Sequence, residues 1–204
     1  LDGPAALDGD VQVVVLAQDP VAERAAESSL RRATRRYGPA GALARKRSLR
    51  ALRLCQAQLS ALPESFGQFT ALVTLELEQN RLTTLPASFG DLRALQTLGL
   101  ARNRLIALPE SFGTLSELQT LTLHRNQLTE LPESFVQLTA LHSLSLERNQ
   151  LTALPESFGL LMSLRALSLE RNVLSALPES FGQLMALESV ELGENQLTHL
   201  PHKF

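Results

Sequence analysis

Residues 72–94 read LVTLELEQNRLTTLPASFGDLRA, and the pattern they set governs most of the chain. Leu49, Leu72, Leu95, Leu118, Leu141, Leu164 and Leu187 lie 23 residues apart, and each opens L-x-x-L-x-L-x-x-N-x-L-x-x-L-P-x-S-F-G-x-L-x-x. Six copies are complete and the seventh runs to Phe204. A fixed period of this size marks a stacked repeat, in which each unit leaves an apolar face that only its neighbour can cover.

The spacing assigns a role to each position. The L-x-L alternation puts Leu75 and Leu77 on one side of a strand and Glu76 and Glu78 on the other. The column Asn80, Asn103, Asn126, Asn149, Asn172, Asn195 falls where the chain turns inward, and its amides can satisfy backbone groups that the turn leaves unpaired. Leu-Pro forces an extended residue and then fixes φ, which suits the first position of a short helical turn. Phe66, Phe89, Phe112, Phe135, Phe158, Phe181 and Phe204 form a further column, expected to stack as a spine under the outer turns. Two departures stand out: Ala57 replaces the Asn of the first copy, and Val136 replaces the Gly of the fourth, where the outer turn should bend differently.

This pattern resembles the 23-residue leucine-rich repeats of the Ras-suppressor and Scribble-like group, including plant Ras-group-related and bacterial members. The resemblance covers Leu49 to Phe204. It implies an α/β solenoid, a right-handed leucine-rich-repeat superhelix with a concave parallel β-sheet and short helical or 3-10 turns on the convex side. It also implies a scaffold or recognition module whose partner is a protein, a small GTPase or other signalling protein among the candidates.

Residues 1–48 form the N-terminal capping region and residues 49–204 the repeat array. Val11–Ala17 reads as a strand, Asp19-Pro20 as a helix start, and Gly38-Pro39 as its end, giving a strand-helix cap. Ten Lys/Arg and one acid fall between Arg24 and Arg53, whereas residues 54–204 carry nine Lys/Arg and fifteen acids. Contact of Arg24–Arg53 with nucleic acid or an anionic membrane is one reading. A solvated helix face is the favoured one, because only Tyr37 interleaves with the arginines. On the last strand, Glu188, Glu191 and Glu194 are expected to discourage edge-to-edge pairing.

The formal net charge is −2 and 44% of residues are hydrophobic, so the chain has the composition of a soluble globular protein. One cysteine, Cys55, cannot build a disulfide framework, and no Asn lies in an N-x-Ser/Thr acceptor. Both point to a reducing, cytoplasmic setting. No motif for catalysis or phosphate binding is present, so neither an enzyme, a cofactor nor a small-molecule substrate is expected. His124, Glu147 and Glu170, with His142 nearby, share a region that could hold a weakly bound metal, but a solvated sheet face explains them better.

The expected binding surface is the concave face: Glu76, Glu78, Gly99, Thr122, His124, Ser145, Glu147, Ser168 and Glu170. Gly99 and Ala101 should leave a shallow dip between Glu78 and His124. Counted with the binding surface, just beyond the face, is an arginine ladder, Arg102, Arg125, Arg148 and Arg171. It reads either as a rim that recognises anions or carboxylates or, the favoured reading, as a relic of copying; the adjacent Glu147 and Glu170 are placed to offset its mutual repulsion. Repeats multiply en bloc, so residues that differ between copies are the better clues, which favours Glu76, Gly99, Thr122, His124 and Glu147. The face carries no aromatic residue, so a polar contact of moderate affinity is expected. The alternative is that the array serves as the regulatory or substrate-recognition part of a larger signalling enzyme, a GTPase, kinase or ubiquitin ligase.

Overall fold

A computed structural model describes residues 12–14 and 48–202. The strands are β1 (Gln12–Val14), β2 (Ala51–Arg53), β3 (Thr74–Glu76), β4 (Thr97–Gly99), β5 (Thr120–Thr122), β6 (Ser143–Ser145), β7 (Ala166–Ser168) and β8 (Ser189–Glu191). They form one parallel sheet in sequence order. From β2 to β8 each residue pairs with the one a full period later, as Leu75 with Leu98 and Leu98 with Leu121. The sequence period is thus the sheet register. β1 adds to the edge beside β2, pairing Val13 with Leu52, inside the strand expected at Val11–Ala17. The expected capping helix and most of the basic segment lie outside the described residues.

The leucines of every copy merge into a single core running from Leu52 to Leu184, with Leu187, Val190, Leu192 and Leu197 of the last copy only partly covered. Each strand is three residues long, too short to be stable alone, and is held by this shared burial. Among the described residues no helix is long and apolar enough to cross a membrane.

The asparagine column does what its position implies. Asn126 donates through Nδ2 to the carbonyls of Leu100 (3.0 Å) and Leu123 (2.9 Å), and its Oδ1 accepts from the Leu105 amide (3.0 Å). One side chain therefore ties a turn to its own strand and to the preceding repeat. In the first copy, Ala57 is simply buried at the equivalent site.

Outer turns of 3-10 helix follow the Leu-Pro of each of the first six copies, as at Glu110–Thr114 and Glu133–Gln137. The proline sits one position earlier than expected, at the N-cap. Pro109 has φ −69° and ψ 151°, still extended, and its carbonyl accepts from the Phe112 amide. The phenylalanines stack in parallel at 6.1–6.3 Å between Phe66, Phe89, Phe112 and Phe135, and again at 6.2 Å between Phe158 and Phe181.

The spine is interrupted between Phe135 and Phe158, and Val136 explains why. At the glycine of the other copies the next turn lies directly against the backbone: a side chain on Gly113 would press into the Ser134 carbonyl, and one on Gly159 into the Ser180 carbonyl. In four copies a serine of that next turn donates to a carbonyl of the preceding one, Ser134 to Glu110 and Ser180 to Glu156 among them. Val136 cannot admit such an approach. The following 3-10 turn is shortened to Phe158–Leu160, and Ser157 is exposed and makes no equivalent bond.

Candidate functional site

The strand geometry delivers the outward residues in columns about 4.8 Å apart along the sheet. What they do depends on which side chains stand beside them.

Two groupings form at the centre of the face. In the first, Glu78 leans across β4 rather than projecting into solvent. Gly99 gives it room, since a Cβ there would stand 3.0 Å from Glu78 Oε1. On the far side the Thr122 hydroxyl donates to the same oxygen at 3.3 Å. The expected dip at Gly99 and Ala101 is therefore filled: Gly99 is buried and Ala101 is 1% exposed. A long flexible carboxylate occupies the space that a missing side chain leaves.

In the second grouping, Ser145 donates to Glu147 Oε2 at 2.7 Å, and His124 Nδ1 lies 3.1 Å from Ser145 Oγ and 3.6 Å from Glu147 Oε1. Because the hydroxyl proton is directed at Glu147, Nδ1–H is the donor toward Ser145. The imidazole thus does not act as a base on that hydroxyl, and the three groups form a fixed polar cluster rather than an activated nucleophile. The arrangement gathers no third metal-type ligand: among the described residues no group of three His, Cys, Asp or Glu is placed to hold a metal ion.

The remaining candidates are spread along the face. Glu76 pairs with Arg53 at 3.1 Å. Ser168 donates to Glu191 at 3.0 Å, and Glu170 lies over Gly193 much as Glu78 lies over Gly99. Cys55 is half-buried on the first repeat strand, and burial pushes its thiol above the usual range, outweighing the backbone hydrogen bond with Glu78 that lowers it. A thiol so placed is less reactive than a free cysteine.

The arginine ladder has a feature that residue type alone did not reveal. Arg102, Arg125, Arg148 and Arg171 have φ of 55° to 58°, in the left-handed region, as do Gln56, Gln79 and Glu194 at the same position of other copies. This conformation costs a non-glycine residue about 1 kcal/mol or more. It persists because it turns each amide onto the next repeat: Arg102 donates to His124 O, Arg125 to Glu147 O and Arg148 to Glu170 O at 2.8–2.9 Å. No glycine marks the site, so propensity could not have found it.

The glutamates do not neutralise the ladder as expected, because Glu147 is engaged with Ser145 and Glu170 lies over Gly193. Only Arg171 of the ladder is paired among the described residues, to Glu194 at 2.6 Å, and the hydrogen bond to that carboxylate raises its pKa. Among the described residues Arg102, Arg125 and Arg148 make no ion pair, and all three are exposed. The glutamates of the last repeat likewise look inward along the array: Glu188 pairs with Arg165 at 3.2 Å, Glu191 takes Ser168, and Glu194 takes Arg171.

On the convex side the column Glu64, Glu110, Glu133, Glu156 and Glu179 is exposed, as a solvated face requires. The Ser88 amide donates to Glu64 at 3.1 Å and holds its carboxyl below the usual range. Leu160, Met162 and Met185 are also exposed there, 49%, 63% and 87%, at positions that are polar in most other copies.

Comparison with known proteins agrees with this architecture. A model described as leucine-rich repeat matches residues 47–105, and one described as leucine-rich repeat region matches residues 91–172. No curated protein matches the chain. A leucine-rich-repeat protein of Leptospira interrogans is similar at 33% identity and TM-score 0.60, covering 77% of this chain and 46% of that one. The plant peptide hormone receptor RGFR1, in complex with RGF2, is similar at 32% identity and TM-score 0.68, covering 74% of this chain and 25% of that one. The ectodomain of the Arabidopsis thaliana membrane receptor kinase GASSHO1/SCHENGEN3, in complex with Casparian strip integrity factor 2, is similar at 33% identity and TM-score 0.68, covering 73% and 19%. The chain spans less than half the length of each of these structures.

Proposed function

Given that the chain is a leucine-rich-repeat protein, we propose that it binds a protein or peptide partner through the concave face between β3 and β7. Leucine-rich-repeat domains generally mediate protein–protein interaction, and the plant receptors similar to this chain were solved with a bound partner.

One observation carries the choice of face. The core is built from residues that recur from copy to copy, yet the centre of the sheet holds polar contacts that do not: the Glu78–Thr122 hydrogen bond across Gly99, and the cluster of His124 with Ser145 and Glu147. The core does not need these groups. Their hydrogen bonds fix the orientation of polar atoms facing solvent, which lowers the ordering cost of meeting a partner. With no aromatic anchor on the face, the contact is polar and of moderate affinity.

The partner acts with the chain inside the cytoplasm, and the chain itself carries out no catalysis. A small GTPase is the partner class that resemblance to the Ras-suppressor group supplies. Service as the recognition part of a larger signalling enzyme is the second reading; one of the similar structures is the ectodomain of a membrane receptor kinase.

Affinity capture from the source organism tests the face. The variant Glu76→Lys with Glu147→Lys should lose partners that the wild type retains, whereas the convex variant Glu110→Lys with Glu133→Lys should keep them. Equal capture by the wild type and the concave variant would place the binding surface elsewhere.

A further inference from the structure

We propose that Arg102, Arg125 and Arg148 receive the acidic stripe of an α-helical segment of the partner, lying along the axis of the array beside the glutamate column. This presupposes that the sheet side of the molecule binds a protein, and it names the kind of segment that docks at its rim.

Three observations converge. First, among the described residues these three guanidinium groups make no ion pair. The ladder position holds Gln56 and Gln79 in the first two copies and is neutralised by Glu194 in the sixth. The unpaired stretch is therefore bounded to three consecutive repeats, and these are the repeats that carry Gly99, Thr122, His124, Ser145 and Glu147.

Second, the arginines start from a fixed frame. Each has the same left-handed backbone and the same amide hydrogen bond to the next repeat, so their side chains leave the chain at matching angles. Arginine is suited to such a position because its planar fork takes a carboxylate through two parallel hydrogen bonds.

Third, the spacing selects the ligand's conformation. The strands advance about 4.8 Å per repeat, while the phenylalanine rings on the other side advance 6.1–6.3 Å. The ladder adjoins the strands and falls near the lower figure. A helix places residues i, i+4 and i+7 on one face at roughly 0, 6 and 10.5 Å along its axis. Three arginines at about 0, 4.8 and 9.6 Å match this within the reach of their side chains. An extended peptide presents same-side residues at roughly 0, 6.7 and 13.4 Å, and misses the third arginine by almost 4 Å. The neighbouring carboxylates Glu78, Glu147 and Glu170 select further. A ligand negative all round would be repelled by them, so the favoured helix is acidic on one stripe only.

Two synthetic helix-forming peptides of equal composition test this by fluorescence anisotropy at low salt. One carries Glu at i, i+4 and i+7, and its isomer distributes the same three Glu around the helix. Each exposed arginine–carboxylate pair contributes about threefold in affinity. The striped peptide should therefore bind roughly tenfold or more tightly than the isomer. Asparagine tolerates the left-handed backbone, so R102N/R125N/R148N should keep the fold, checked by circular dichroism, and should abolish the preference. The Glu76→Lys, Glu147→Lys variant, which leaves the three arginines in place, should still prefer the striped peptide. Equal affinity for the two peptides, no binding of either, or a preference that survives in the triple variant would each overturn the proposal. Partner capture by the concave variant is read separately, so failure here leaves the concave-face assignment to its own test.

Discussion

At the scale of the residue, the asparagine column shows how one polar side chain can hold a turn. Asn126 satisfies two carbonyls and one amide, all buried, and is itself 8% exposed. Asn126→Ala leaves the Leu105 amide without its partner, at about 1–3 kcal/mol for a buried unsatisfied group, and takes one of two bonds from each carbonyl, Leu100 keeping Asn103 and Leu123 keeping Asn149, at about 1 kcal/mol apiece. With some relief from entering water, a loss of about 3 kcal/mol is expected in urea unfolding. Asn195 makes the same set of bonds in the last copy but is only part-buried. There water replaces the amide, and Asn195→Ala should cost under about 1 kcal/mol. Similar losses at both sites would show that burial does not set the cost. The role of this column was legible from the sequence, because Asn after a strand has a recognisable chemistry. The left-handed residue just before it was not. Glycine or asparagine usually announces such a backbone, and here the position holds Arg, Gln or Glu, while the asparagine one step later is needed for its amide. The bridge from Glu78 to Thr122 was hidden for a different reason. Period gives register, but whether a side chain reaches across a strand depends on what stands between, and that was Gly99.

At the scale of the element, the outer turns pack by close backbone approach rather than by apolar area alone. The glycine of each turn admits the next turn, and a serine hydroxyl closes the contact with a hydrogen bond. Gly113→Val would force its side chain into the Ser134 carbonyl. Overpacking against backbone costs about 1–3 kcal/mol, and the upper half of that range is expected because neither partner can rotate away. Val136→Gly performs the reverse change where the array already accommodates the valine. The regained serine hydrogen bond, about 1 kcal/mol, is offset by the backbone entropy of glycine, about 0.5–1 kcal/mol. Stability should therefore change little, while amide exchange at Phe158–Leu160 should slow as the turn closes on its neighbour. A large penalty for Val136→Gly, or none for Gly113→Val, would show that the glycines are not there for approach. Sequence pointed to Val136 as the irregular turn. It could not say that the spine of phenylalanines would part there, because the consequence falls on the next copy and not on the one that carries the substitution.

At the scale of the whole molecule, the register of the sheet and the period of the sequence are the same number, and this makes the array divisible. The core contacts of each repeat are with its neighbours, and the Glu78–Thr122 bond across β4 is the longer-range exception, so stability is close to a sum of repeat and interface contributions. Removing residues 95–117 deletes one whole period and brings Leu118 to the place of Leu95, Asn126 to that of Asn103 and Phe135 to that of Phe112. Every column closes up, and the leucines of β3 meet those of β5 as they met those of β4. The shortened chain should fold, with a single cooperative urea transition and a midpoint below that of the parent. Removing residues 95–114 instead deletes three fewer. The next strand then arrives out of phase, an odd slip turns Leu121 and Leu123 outward, and Asn126 no longer reaches the carbonyls it must satisfy. That chain should lose cooperative unfolding and expose apolar surface. Cooperative folding of both deletions would mean that the leucines collapse without needing their columns. Failure of both would mean that contacts longer than nearest neighbour, such as Glu78 to Thr122 across β4, matter to the fold as well as to the face it presents.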